Sequence, residues 1–124
     1  VPVVAVETEG AESLARAMEA GRLVTLDAIT SVATSLGARR VCAQALHWAR
    51  HHPVRSVVVS DRAAARACER FIDDHRLVVE PSCGASLAAV YDGAAELRDC
   101  ESVLVVVCGG ATATVAQIRE WAKG

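Results

Sequence analysis

Three valine-rich runs constrain this chain more than any other feature: Val1–Val6, Ser56–Val59 and Val103–Val107. A strand with one face in water alternates apolar and polar residues. Runs that do not alternate suit strands buried on both faces, as in a parallel sheet covered by helices. Between the runs the spacing turns helical. Gly10 is followed by a short amphipathic helix over Ala11–Ala20, closed by Gly21. Asp27 is placed to cap a helix through Ala28–Leu36, ended by Gly37. Val41–His51 puts Val41, Ala45, Leu46 and Ala49 on one stripe and stops at Pro53. Asp61 caps a helix running to about Asp74, and Pro81 suits the first turn of a helix through Ala95. Val115–Lys123 reads as a terminal helix, and Leu77–Val79 fits either a short strand or an extended entry. The alternation predicts an α/β fold: an open, mostly parallel sheet with helices on both faces. At 124 residues the chain holds one domain at most. Three strands are few for a doubly wound domain, and the chain starts Val1-Pro2-Val3 without methionine. Both features lead us to expect part of a larger domain.

Charge and composition exclude several functions. A net charge of −2 offers no basic field for nucleic acid or an anionic membrane. The aromatics are Trp48, Phe71, Tyr91 and Trp121, too few for a base-stacking platform. The longest apolar run, Val103–Cys108, is far too short to span a bilayer. The five cysteines are odd in number and none forms a Cys-x-x-Cys pair, which suits neither a disulfide scaffold nor a zinc site. They read as free thiols in a reducing, cytoplasmic compartment. The single lysine is Lys123, so chemistry needing an internal lysine has no candidate here.

Four segments are candidates for chemistry, each with a plainer reading beside it. In Val103-Leu-Val-Val-Val-Cys-Gly-Gly110 a buried strand ends in a thiol and two glycines. Ligands of open α/β sheets bind beyond the carboxyl ends of strands, which would aim Cys108 into a crevice. The plainer reading is a tight turn with a buried cysteine. It is not a dinucleotide fingerprint. In Glu7-Thr-Glu-Gly-Ala11 a carboxylate and loop carbonyls suit a hard cation, or else the acid caps the next helix. Thr30–Gly37 is a hydroxyl-rich helix end, and the small residues of Glu80–Ala89 favour close packing. No Ser/His/Asp triad can be assembled. His51-His52 reads as an exposed helix end, and Arg39-Arg40 and Arg62, Arg66 and Arg70 read as solvated faces.

Taken in order, these segments resemble the serine dehydratase and serine dehydratase-like enzymes, which are pyridoxal-phosphate (PLP) enzymes of fold type II. The matching stretches are Val1–Ala11, Ala20–Leu26, Ile29–Ala38, Leu77–Tyr91 and Val105–Gly110. The resemblance implies that residues 1–124 form the second half of the large cofactor-binding domain. It places the Schiff-base lysine, the substrate-carboxylate loop and the phosphate cradle upstream, so this chain alone is expected to be inactive. It also implies that Cys108 meets the pyridine nitrogen, that Ser35 packs on one ring face, and that Gly109 and Gly110 line the cofactor. Glu7, Ala11, Leu36 and Ala38 match a monovalent-cation site, with potassium the expected ion. Thr112 stands where the family commonly has asparagine, which is expected to weaken a loop hydrogen bond.

The implied reaction is β-elimination of L-serine or L-threonine, giving pyruvate or 2-oxobutyrate plus ammonia. The implied partners are a small amino-acid substrate and a second copy of the full protein in a homodimer, with no nucleic acid or membrane. Two alternatives stay open: another fold type II enzyme, such as a serine racemase or β-replacement synthase, or a non-catalytic binding or dimerising module.

Overall fold

A computed structural model describes all 124 residues. Its centre is a pair of strands, β1 (Val3–Thr8) and β2 (Val54–Val59), paired in parallel from Val3↔Val54 to Thr8↔Val59. Parallel pairing needs a long crossover. Here it contains α1 (Ser13–Ala20) and α2 (Ala43–His51), which pack on each other and on β2. Gly21 closes α1 in the left-handed conformation, φ 65°, as its position after the last helical residue predicts.

The second half is helical. It contains α3 (Asp61–His75), α4 (Pro81–Tyr91) and α5 (Val115–Lys123), with α3 packed between α4 and α5 and α4 resting on both strands. Ser60, not Asp61, is the N-cap of α3, its hydroxyl accepting from the Ala63 N–H at 3.1 Å. Pro81 opens α4, where its missing N–H costs nothing. Thr114 and Gln117 form a reciprocal capping box on α5. The core lies among these three helices: Ala67, Cys68 and Phe71 of α3, Cys83, Leu87 and Ala88 of α4, Ile118 of α5, and Val79. Its small residues bring α3 and α4 unusually close. A Cβ added at Gly84 would strike the Ala64 carbonyl and the Cys68 sulfur.

Two expected elements do not form. The Ala28–Leu36 helix is absent, and only a 3-10 turn at Thr34–Leu36 remains. The backbone N–H groups that would build it have other acceptors. Thr30 N–H reaches the Gly10 carbonyl, Val32 N–H reaches Asp61 Oδ2, and Ala33 N–H reaches the Ser31 hydroxyl. Hydroxyl-rich segments lose helices to this kind of competition. Val103–Val107 is extended but joins no ladder. Val105 packs against the core, whereas Leu104 is 93% exposed and Val106 70%. No strand of this chain lies beside it, so its backbone groups find no ladder. The strands that do form are also only partly covered: Val3 and Val58 are exposed, and Glu7 and Thr8 are the buried end of β1. The fold class is nonetheless α/β, with a parallel sheet packed by helices. No helix is long and apolar enough to cross a membrane.

Candidate functional site

The Cys108-Gly109-Gly110 segment is the tight turn its glycines predict. Both have positive φ, 88° and 115°, which side-chain-bearing residues rarely adopt. The turn docks on the start of α4: Glu80 N–H donates to the Gly109 carbonyl at 3.1 Å. Gly110 lies so close to the Glu80 carboxylate that a Cβ there would overlap it. On the other side, a Cβ at Gly109 would meet nothing within 4 Å, so the turn opens to free space.

Glu80 is buried, and the turn is fastened to it. Thr112 donates to Glu80 Oε2 twice, from its hydroxyl at 2.6 Å and from its N–H at 3.3 Å. The Ser35 hydroxyl, first, and then that of Thr112 hold the Glu80 carboxyl below the ordinary carboxylate range, against the opposing effect of burial. The structure thus brings Ser35, Gly109, Gly110 and Thr112 around one acid that sequence reasoning passed over. Its sequence signal was an acid directly before the proline that starts an almost wholly buried helix. Thr112 also departs from expectation, since it keeps the loop bonded through both its hydroxyl and its N–H.

Cys108 is solvent-exposed, not buried as the plainer reading had it. Partial burial, the neighbouring Cys83 thiol and the Glu80 carboxylate all push its thiol above the ordinary value, so it is a neutral S–H at physiological pH. On the first turn of α4, the buried Ser82 hydroxyl has no partner within the chain. An open glycine turn, an accessible neutral thiol and an unpartnered buried hydroxyl suit a planar heterocyclic ligand carrying polar substituents. The donor set fits the ring of PLP.

The residues of the expected cation site are arranged differently. Glu7 sits at the end of β1, and its two carboxylate oxygens accept from the N–H groups of Leu14 and Ala15, each at 2.8 Å. This satisfies two free donors of the first turn of α1, as the capping alternative anticipates. Ala11 is fully buried. Leu36 and Ala38 flank Gly37 after the 3-10 turn, with Ala38 N–H donating to the Leu36 carbonyl. No hydrogen bond joins the Glu7–Ala11 pair to the Leu36–Ala38 pair.

Comparison with known proteins bears on this arrangement. The chain is 52% identical to a serine dehydratase-like protein of Rattus norvegicus, covering 97% of this chain and 39% of that protein. It is 49% identical to a bovine (Bos taurus) L-serine dehydratase/L-threonine deaminase, covering 95% of this chain and 38% of the relative. The structure superposes on a fungal L-serine ammonia-lyase from Rhizomucor miehei with a TM-score of 0.91 at 35% identity. That match covers 99% of this chain and 41% of the other. The chain therefore spans about two fifths of the length of these relatives. Residues 1–109, which hold both strands, α1 to α4 and the Cys108 turn, match the family described as pyridoxal-phosphate dependent enzyme, and the chain belongs to that family.

Proposed function

We propose that this chain is part of the cofactor-binding domain of a PLP-dependent ammonia-lyase acting on L-serine or L-threonine. The observation that carries the reading is the turn after Val107, where an accessible neutral thiol, Cys108, stands beside open space at Gly109. Near-50% identity to dehydratases along almost the whole chain supports the choice of reaction.

When bound, PLP supplies an electron sink for the pair left as the substrate α-proton departs. The residues here shape that sink. A carboxylate beside the ring nitrogen would keep it protonated and strengthen electron withdrawal. A neutral thiol at Cys108 is a weak partner and leaves the nitrogen largely neutral. That balance suits expulsion of a β-hydroxyl and disfavours transamination. Ser35, tied to Glu80, packs on a ring face, and Gly109 and Gly110 leave room for the ring edge. The α-proton must go to a base outside these 124 residues, because the only lysine is Lys123. For the cation, Glu7 keeps lone pairs beyond its two amide bonds, and carbonyls of Ala11, Leu36 and Ala38 would complete an oxygen shell for potassium. The same reading puts a homodimer in the cytoplasm. The five free cysteines suit a reducing compartment, and sizing chromatography tests the dimer.

The test is pyruvate release from L-serine by the full polypeptide carrying this sequence, with PLP and potassium supplied. Pyruvate is expected, and Cys108→Ala is expected to cut turnover at least tenfold while leaving the melting temperature within a few degrees. A PLP absorption band without pyruvate would move the assignment to a racemase or a β-replacement synthase. Neither band nor pyruvate would leave the non-catalytic module as the reading. Unchanged turnover in Cys108→Ala would remove the thiol's assigned role.

A further inference from the structure

We infer that Glu80 is a positioning residue that sets where Cys108 and Ser35 stand against the cofactor ring, an inference resting on the PLP reading above. Three separate segments meet at this one side chain and its backbone. Glu80 N–H fixes the Gly109 carbonyl, one residue from the Cys108 thiol. Its carboxylate holds Thr112 through both hydroxyl and amide, closing the far end of the same turn. Ser35 reaches the same carboxylate from the 3-10 turn, which packs on α4. Gly110 passes between the two anchor points at a distance only glycine allows. The acid is itself rigid, since it is buried and immediately precedes Pro81, whose ring restricts the backbone of the preceding residue.

No other polar side chain in this region joins more than one segment. Cys108 is carried by an extended run that joins no ladder, so little else fixes its sulfur. Glu80 replaces the missing sheet contacts with charge-assisted hydrogen bonds, the strong kind for an ionised acceptor. Its charge also acts on the thiol. The groups facing Cys108 are the Cys83 thiol and Glu80, and both favour the neutral S–H. Removing the carboxylate would therefore change both the place and the protonation balance of the ring-nitrogen partner.

The test uses the full polypeptide loaded with PLP and compares wild type, Glu80→Gln, Glu80→Asp and Thr112→Val. The readouts are the cofactor absorption maximum, the fraction of PLP kept through gel filtration, and kcat and KM measured separately. Glu80→Gln is expected to shift the band, lose PLP faster and lower kcat at least tenfold with KM within about twofold. Glu80→Asp should recover part of kcat, because the charge remains and only reach is lost. Thr112→Val removes one hydroxyl from an exposed loop position and should shift the band in the same direction by less. It carries the test if Glu80→Gln fails to fold. A wild-type band and wild-type kcat in Glu80→Gln, or an unshifted band in Thr112→Val when the former is unfolded, overturns the inference. Absence of any PLP band in the wild-type protein overturns the reading beneath it instead.

Discussion

Gly109 and Gly110 have the same residue type and the same sign of φ, yet their surroundings differ. Gly109 faces open space, while Gly110 is pressed against the Glu80 carboxylate. Alanine at 109 carries only the backbone cost of a positive φ, about 1 kcal/mol. Alanine at 110 adds an overlap with a buried, fully bonded acid that cannot swing aside without breaking its bonds to Thr112. Urea unfolding of the two variants is expected to separate them, with Gly110→Ala losing about 2–4 kcal/mol and Gly109→Ala about 1. Equal losses would mean that Glu80 yields. The sequence marks the glycine pair as a turn, but which glycine is sterically committed depends on an acid thirty residues earlier in the chain.

At the scale of elements, α3 and α4 touch through backbone. Gly84 faces the Ala64 carbonyl and the Cys68 sulfur, with alanines on either side. Gly84→Ala is therefore expected to cost about 3 kcal/mol or more, although alanine is the better helix former by about 1. Differential scanning calorimetry checks the sign, and a gain in melting temperature would mean that the helices slide apart freely. The packing role read from the small residues of Glu80–Ala89 is the one this interface uses. Ala28–Leu36 shows the opposite case. Its helical spacing is real, but Thr8 shares a hydrogen bond with Ser31 and Asp61 binds both Ser31 and Val32. An acid expected to serve its own helix as a cap instead holds a loop from the other half of the chain.

For the whole molecule, stability rests on a compact three-helix core with a thiol at its centre. Burial, then the Cys83 sulfur, push Cys68 up to about 12 from an ordinary 9.0. The folded state thus favours the neutral thiol, and the unfolded chain gains by ionising first. The stabilising contribution is complete below pH 9 and is lost as the pH rises toward 12. Chemical denaturation across that range is expected to show a falling stability in the wild type. The fall should be shallower in Cys68→Ala, whose absolute stability is lower because of the cavity left behind. Parallel slopes in the two proteins would show that other groups control the alkaline limit.

The sequence by itself determined the local units: β1 and β2 from their valine runs, the caps and stops of α1, α4 and α5, the glycine turn after Cys108, and the family resemblance with its site residues. These depend on neighbours a few positions apart, where propensity, capping and φ preferences act. Only the tertiary structure decided the rest. It dissolved the Ala28–Leu36 helix by offering its N–H groups better acceptors. It left Val103–Val107 without a ladder, since a strand requires an adjacent strand and hydrophobicity alone does not supply one. It turned Glu7 onto the first turn of α1. And it gathered Ser35, Gly109, Gly110 and Thr112 around Glu80, because a buried carboxylate must find donors wherever the fold brings them.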